Sequence, residues 1–210
     1  INLKELVTIA KSYGAKIYLD DAHAFGIYGG NRRGLADLNG IYDQIDLIMT
    51  SFQMAFGNIG AAIGGKKELI DRIRYLSRLH IFTYTLPVDK VTALLAAVEI
   101  VRGPEGAALS AQLVANANYL RNGFVSSGLK VVSDDGHIVS VRTGSEAMTV
   151  AVANELLSCG VWAQVYIHPS VPIGKAIIRF TPIALHAKDH LDTTIGVMAE
   201  MAKKYPSLVS

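Results

Sequence analysis

The sequence predicts an α/β protein in two parts, and two observations predict it. Over the first 80 residues, stretches with apolar residues at helical spacing alternate with short apolar runs of strand length. After residue 128, short strand-like runs surround one helical stretch, and a further helix closes the chain. We therefore expect part of a larger α/β domain with its connecting helix over residues 1–103, and a small α+β domain over residues 104–210.

The first part is predicted to hold three short strands between helices. Gly14 is expected to end the first helix, because glycine adopts the backbone conformation found just after many helices. Strands separated by helices or long connections indicate a sheet covered on both faces. In chain order we predict a helix over residues 2–13, a buried strand over 16–20, a glycine-rich basic loop over 26–34, strands over 45–50 and 60–65, and a helix over 66–80.

Two long helices connect the first part to the second. Gly103 and Pro104 separate them, because neither residue continues a helix well. After these helices, the predicted elements follow a βαββ-like order. We predict helices over residues 88–101 and from 105 to about 126, strands over 129–133, 137–141, 161–165 and 176–180, a helix over 145–159 between the second and third of these strands, and a last helix over 188–204.

Composition excludes several classes of function. The net charge is +2 with both signs interspersed, so no basic run indicates nucleic acid and no charge block indicates a membrane surface. The longest apolar runs are too short to span a bilayer. The lone Cys159 excludes an internal disulfide framework, and we expect it as a buried small hydrophobe in a reducing, cytoplasmic compartment. The chain starts with Ile1 inside a helical pattern, so we expect a fragment or a processed chain.

Two carboxylates and a histidine follow the first predicted strand, at Asp20, Asp21 and His23. In open α/β sheets ligands gather at the carboxyl ends of strands. A buried carboxylate needs a cationic partner, and a protonated pyridine nitrogen is one such partner. The same residues also fit a loop-start cap or a solvated acidic pair. A metal site is a further interpretation, which no other Asp/His cluster at ligand spacing supports.

Hydroxyl groups stand at two further places where an anion could bind. Ser51 follows the second predicted strand and precedes several glycines, so a phosphate could approach it closely, although close strand packing explains the glycines equally well. Tyr84 and Thr85 precede a predicted helix that starts after Pro87, and a helix N-terminus with hydroxyls can hold an anion.

Arg179 lies within an apolar predicted strand, so its charge must find an anion or reach water. Its planar guanidinium has paired N–H donors that suit a carboxylate such as that of an amino acid. An exposed arginine on an alternating strand face is an equally good interpretation. The histidines His168, His186 and His190 are expected at the surface or in structural roles.

Five segments match the motifs of one enzyme family, in order along the chain. Residues 18–26 with 29–34 resemble D-[DE]-A-H-x-x-G and G-R-G, residues 46–57 resemble D-I-x-x-G-T-[FL]-[SG]-K-A-[FL]-G, residues 81–87 resemble F-x-F-S-x-S-L-P, residues 169–174 resemble P-T-V-P-x-G, and residues 179–186 resemble R-[IL]-T-x-x-x-x-H. On these residues the chain resembles the C-terminal part of the α-oxoamine synthase family of fold-type I enzymes, which depend on pyridoxal 5′-phosphate (PLP). The resemblance implies the C-terminal half of a fold-type I PLP-transferase large domain followed by a small α+β domain.

The resemblance also implies roles for individual residues. Asp20 would pair with the pyridinium nitrogen of PLP, and His23 would hydrogen-bond the phenolic oxygen. Ser51, in place of the usual threonine, would contact the phosphate. Thr85, with Thr83 as a second candidate, would reach the phosphate of the neighbouring subunit's cofactor in a homodimer or heterodimer.

The implied reaction condenses an amino acid with an acyl-CoA and releases CoA, usually with CO2. Arg179 would hold the carboxylate of the amino acid. The lysine that forms the Schiff base with PLP in this family is replaced by Met54, beside Gln53. Methionine cannot form an imine, so we expect no covalent linkage between residue 54 and PLP. We therefore expect this chain alone to have little or no catalytic activity. The N-terminal half of the family, with its glycine-rich phosphate loop, is expected to be absent.

Four functions remain open from the sequence. The first is the C-terminal part of a PLP-dependent acyltransferase. The second is a non-catalytic subunit or pseudoenzyme that completes a partner's site across a dimer interface. The third is an engineered variant in which methionine replaces lysine at Met54, and the neighbouring Gln53 favours natural divergence instead. The fourth is a small-molecule binding domain without chemistry.

Overall fold

A computed structural model describes residues 2–133 and 135–209. The chain divides into two compact units, Ile1–Ala108 and Leu109–Ser210. The division falls inside a helix, slightly after the domain boundary predicted between residues 103 and 104. That predicted boundary stays a prediction.

The first unit alternates helices with three short strands, as the sequence predicts. A short 3₁₀ helix, Tyr42–Gln44, precedes the second strand. The elements are α1 (Leu3–Ser12), β1 (Tyr18–Asp20), α2 (Leu35–Leu38), β2 (Leu47–Ser51), β3 (Ala61–Gly65), α3 (Lys67–Leu76), α4 (Arg78–Ile81) and α5 (Val88–Arg102), followed by the start of α6 (Pro104–Ser126).

The three strands of the first unit form one sheet in the order β1-β2-β3. Strand β1 runs parallel to β2, with Asp20 opposite Met49, and β3 runs antiparallel to β2. Apolar residues from α1, from α2 and from the approach to β2 pack on one side of the sheet. This core contains Val7, Ile17, Ala36, Ile41, Ile45 and Ile48.

Three predictions for the first unit need correction. Strand β3 is exposed along its whole length, so the expected sheet covered on both faces is wrong for that strand within the described residues. Strand β1 is shorter than predicted and exposes Tyr18 and Asp20, so it is not a buried strand. The helix predicted over 66–80 breaks at Ser77, which has extended backbone angles and whose side chain accepts from the N–H of His80 to begin α4.

A buried carboxylate anchors the amino end of β2. The Asp46 side chain is only 2% exposed, and one of its oxygens lies 2.7 Å from Lys11 Nζ. It also accepts from the backbone N–H of Ile17 at 2.9 Å, while Lys16 and Lys66 lie at 3.5 and 3.4 Å. The hydrogen bond from Lys11, then that from Ile17, hold the pKa of Asp46 well below its usual range. Asp46 therefore ties α1, β1 and the end of β3 together.

The second unit is a βαββ unit, which confirms the predicted order. Its sheet has the order β4-β6-β5, and both strand pairs are antiparallel. The core lies between this sheet and the helices, and includes Phe124, Val139, Leu156, Ile178 and Met198. The elements are the rest of α6, β4 (Val139–Gly144), α7 (Glu146–Ser158), β5 (Gln164–Tyr166), β6 (Ala176–Phe180), α8 (Lys188–Lys204) and a 3₁₀ helix, Pro206–Leu208.

Two predictions for the second unit are wrong. Residues 129–133 form no continuous strand, because Leu129 and Val131 make only isolated bridges, to Val209 and Val141. Cys159 is exposed rather than buried, because it caps the C-terminus of α7, where the chain turns through Gly160. Among the described residues, no helix is both long and apolar enough to cross a membrane.

Candidate active site

The parallel pairing of β1 and β2 brings two predicted site segments to one edge of the sheet. Asp20 ends β1 and Ser51 ends β2. The backbone N–H of Asp21 donates to the carbonyl of Met49 at 2.9 Å, so the ladder continues past Asp20. The acidic pair and Ser51 therefore lie at the carboxyl ends of adjacent parallel strands, where α/β sheets bind ligands.

The two neighbouring aspartates have different environments. Asp21 is 2% exposed, and its Oδ2 atom accepts from the N–H of Leu35 at 2.8 Å, which begins α2. Its other oxygen has no hydrogen-bond partner among the described atoms. Burial raises the pKa of Asp21 above its usual value, and the hydrogen bond from Leu35 offsets part of this. Asp21 therefore has a structural role as a helix cap.

Asp20, in contrast to Asp21, is exposed. Its Oδ1 atom accepts from the N–H of Ala22 at 3.1 Å. Within residues 2–133 and 135–209, no lysine or arginine forms an ion pair with Asp20. An exposed aspartate at the end of a strand can accept a hydrogen bond from a cationic ligand group.

The loop that carries His23 packs against the loop that carries Met54. The rings of Phe25 and Phe56 lie 6.2 Å apart between centroids. A Cβ atom at Gly26 would lie 2.5 Å from the Cβ atom of Ala55, so only glycine permits this approach. His23 is exposed, and Met54 is 46% exposed. The structure therefore brings together the His23 and Met54 motifs, which are separate in the sequence.

The β2–β3 loop is closed by its own hydrogen bonds. Ser51 Oγ accepts from the N–H of Gln53 at 3.2 Å. The N–H of Phe52 donates to the carbonyl of Gly60 at 2.9 Å, and the N–H of Asn58 donates to the carbonyl of Phe52 at 2.8 Å. These bonds hold Ser51 and residue 54 on one short, closed loop.

The segment before α5 reaches the same loop through a leucine. A Cβ atom at Gly60 would lie 2.9 Å from the methyl groups of Leu86, so the leucine packs directly on this glycine. Thr83 and Thr85 are both exposed, and α5 begins just after Pro87. The hydroxyls predicted to meet a phosphate therefore stand at a helix N-terminus, on the surface of the first unit.

The basic loop over residues 26–34 has a structural function. Arg32 adopts a left-handed φ of 56°, and its guanidinium caps the C-terminus of α5 by donating to the carbonyls of Val101, Arg102 and Gly103. Arg33 pairs with Asp37 at 2.8 Å. Both arginines therefore have anionic or carbonyl partners within the first unit.

Arg179 lies on the central strand of the second unit and is half-buried. Its Nε atom donates to Oε1 of Gln164 at 2.9 Å, and its Nη2 atom donates to the same oxygen. The ring of Tyr166 lies 4.6 Å from the guanidinium carbon. Gln164 and Tyr166 were missed at the level of sequence, because only the register of β5 against β6 puts them beside Arg179.

The residues of the first unit suit PLP held without a covalent bond. An exposed carboxylate at Asp20 suits a ring nitrogen that carries a proton, and the Ser51 hydroxyl suits a phosphate oxygen. Met54 offers no amine. The nearby lysines do not replace it, because Lys66 lies beside Asp46 at the other end of β2 and Lys67 pairs with Asp71.

A partly parallel sheet with acidic and hydroxyl groups at one edge, followed by a βαββ unit, fits the class of PLP-dependent transferases of the aminotransferase fold. The chain belongs to the aminotransferase class I and II family, whose pattern matches residues 1–197. The resemblance drawn from the five motifs is therefore confirmed.

The curated relatives are α-oxoamine synthases. The chain is 35% identical to an 8-amino-7-oxononanoate synthase of Geobacter metallireducens, over 96% of this chain and 51% of that protein. It is 31% identical to a serine palmitoyltransferase of Bacteriovorax stolpii, over 97% of this chain and 48% of the relative. The chain thus spans about half the length of the curated relatives it matches.

Solved structures support the fold. A serine palmitoyltransferase from S. paucimobilis with a bound PLP-myriocin aldimine matches with a TM-score of 0.92 at 25% identity, over 98% of this chain and 52% of that one. An 8-amino-7-oxononanoate synthase from Francisella tularensis matches with a TM-score of 0.81 at 21% identity, over 95% of this chain and 58% of that one. The predicted fold class, the C-terminal half of a PLP-transferase, is confirmed.

Proposed function

We propose that this chain forms part of the cofactor site and the carboxylate site of a PLP-dependent acyltransferase that condenses an amino acid with an acyl-CoA. The observation that supports this most is the shared sheet edge, where Asp20 and Ser51 end adjacent parallel strands. The packing of the His23 loop on the Met54 loop adds a histidine to the same region. We further propose a cytoplasmic protein that acts as a dimer.

Each residue has a distinct task in this proposal. Asp20 accepts a hydrogen bond from the protonated ring nitrogen of PLP and stabilises its positive charge. His23 hydrogen-bonds the phenolic oxygen, and Ser51 binds the phosphate. Thr85, with Thr83 as the second candidate, reaches a phosphate in the neighbouring subunit. When bound, PLP supplies an electron sink that stabilises negative charge at the amino-acid α-carbon.

Arg179 holds the carboxylate of the amino acid in this proposal. A guanidinium that lacks an acidic partner within the described residues carries an uncompensated charge. Arg179 is half-buried, so a carboxylate would find it less hydrated than a surface arginine. Charge and partial burial together favour a small anionic ligand.

Met54 limits what this chain can do by itself. A thioether cannot link to PLP and cannot move a proton at the α-carbon. The second candidate function is therefore a non-catalytic subunit that completes the site of a lysine-bearing partner. The observation that favours it is the combination of Met54 with Asp20 and His23, since the cofactor-facing groups are present without the reactive amine.

A binding experiment tests the proposed cofactor site. The dissociation constant of PLP should be measured by quenching of protein fluorescence for the full-length gene product, for Asp20→Asn and for a control, Asp43→Asn. A charge-assisted hydrogen bond contributes about 1.5–3 kcal/mol, so Asp20→Asn should weaken PLP binding roughly 10- to 150-fold. Asp43 is exposed on the 3₁₀ helix, and its variant should bind like the parent. Equal affinities of all three proteins would contradict the proposal.

A second experiment separates the two candidate functions. The chain should be co-expressed with a lysine-bearing relative, and the mixed species isolated by two different affinity tags. A stable mixed dimer whose acyltransferase activity depends on Thr85 supports the non-catalytic subunit. A protein that is strictly homomeric and free of PLP counts against it.

A further inference from the structure

Two residues of β5 hold the guanidinium of Arg179 in one orientation. Gln164 lies directly opposite Arg179 in the antiparallel pair, and its side-chain oxygen accepts from both Nε and Nη2. The ring of Tyr166 stacks against the guanidinium at 4.6 Å. The Tyr166 hydroxyl donates to the same Gln164 oxygen at 3.4 Å. The amide, the ring and the guanidinium therefore form one connected group on a single sheet face.

These contacts leave one edge of the guanidinium open. Nε and Nη2 form the side-on edge of an arginine, which is one of the two edges that can bind a carboxylate through a pair of hydrogen bonds. Gln164 covers that edge, and Tyr166 covers one face of the plane. On the end-on edge, formed by Nη1 and Nη2, Nη1 has no hydrogen-bond partner among residues 2–133 and 135–209, and Nη2 has only Gln164, which leaves its second N–H for a ligand.

The partner that covers the side-on edge is neutral. A carboxylate in the place of Gln164 would form a side-on ion pair with Arg179 and neutralise most of its charge. An amide oxygen fixes the geometry with weaker hydrogen bonds and leaves the net positive charge for a ligand. The same position thus controls both the direction and the charge that Arg179 presents.

We propose that Gln164 is a positioning residue that makes Arg179 bind the substrate carboxylate end-on, through Nη1 and Nη2. This inference rests on the proposed role of Arg179 as the carboxylate-binding residue. Tyr166 supports the arrangement by covering one face of the guanidinium with an aromatic ring. The ligand class is an α-amino acid carboxylate, alone or joined to the cofactor.

Two ligands that differ by one carboxylate provide the test. N-(5′-phosphopyridoxyl)ethylamine lacks the carboxylate, and N-(5′-phosphopyridoxyl)-L-alanine carries it; neither reacts with the protein. The dissociation constants of this pair, and of pyridoxamine 5′-phosphate as a probe of the cofactor site alone, should be measured by calorimetry on the full-length gene product. The ratio of the two constants measures what the carboxylate contributes, and we expect roughly 10 to 100 for the parent.

Gln164→Glu keeps the size of the side chain and adds a negative charge. We expect its ratio to fall nearly to one, while its affinity for pyridoxamine 5′-phosphate and its thermal midpoint stay at least as high as in the parent. This fall tests the neutral charge of Gln164, because an added carboxylate neutralises Arg179 whichever way the guanidinium points. Gln164→Ala tests the orientation and should lower the ratio to an intermediate value, because the guanidinium is then free to turn.

One control variant completes the experiment. Gln44→Glu adds the same charge at an exposed position of the first unit and should leave the ratio unchanged. A parent ratio of at least 10 that Gln164→Ala leaves unaltered overturns this inference alone. A parent that fails to bind pyridoxamine 5′-phosphate, or that shows a ratio of one, overturns the proposed function and this inference with it.

Discussion

Replacing Gly34 with alanine tests how the site loop is built. Gly34 has φ 88° and ψ −162°, a combination that is essentially restricted to glycine and costs other residues about 1–3 kcal/mol. A Cβ atom there would lie 1.8 Å from Oδ2 of Asp21, so the buried carboxylate must also move. Displacing it from its hydrogen bond with Leu35 costs about another 1–3 kcal/mol. We therefore expect Gly34→Ala to lower the free energy of unfolding by about 2–6 kcal/mol.

Gly40→Ala is the matched control, because Gly40 also has a positive φ, of 67°, but has no heavy atom within 4 Å of the added Cβ. It should cost only about 1–2 kcal/mol. Urea denaturation followed by circular dichroism gives both values. If Gly34→Ala is no more destabilising than Gly40→Ala, the contact between Gly34 and Asp21 that holds the His23 loop does not exist.

Three further predictions concern stability. Asp46 has a depressed pKa, so its contribution is present above the unfolded value of about 3.9 and is lost as the pH falls further; Asp46→Asn should flatten this acid-side loss in urea titrations at several pH values. Burial, then the nearby His190, lower the pKa of His186, so stability should drop as the pH falls through about 6.5, and His186→Gln should remove that drop. Phe124→Ala should cost about 3–5 kcal/mol by urea denaturation, because the ring is fully buried and contacts Phe180; an exposed site, Val125→Ala, should cost far less.

Regular elements with strong local signals could be predicted from the sequence. The closing helix, Lys188–Lys204, and the strand Ala176–Phe180 have the predicted bounds, because apolar periodicity and flanking turn residues specify both. The break at Ser77 could not be predicted in this way. A serine inside an apolar helical pattern is acceptable as a helical residue, and only its hydrogen bond to the N–H of His80 makes it the start of α4.

The candidate site could be predicted in part. The motif pattern identifies Asp20, but the adjacent Asp21 is chemically equivalent in the sequence. The three-dimensional packing distinguishes them, because Gly34 and the N–H of Leu35 lie against Asp21. Asp21 is therefore a buried helix cap, and Asp20 remains exposed. Similarly, Gln164 has no local signal, since cross-strand pairing depends on a register that distant residues determine.

The central claim is that residue 54 faces a PLP site from which only the lysine is missing. Met54→Lys should restore covalent binding, so incubation with PLP followed by borohydride reduction should add one phosphopyridoxyl group, located at residue 54 by peptide mass spectrometry. Gln53→Lys provides the same amine one residue away on the same exposed loop and should remain largely unmodified. Modification of both variants to the same low extent, or only at scattered surface lysines, would contradict the account.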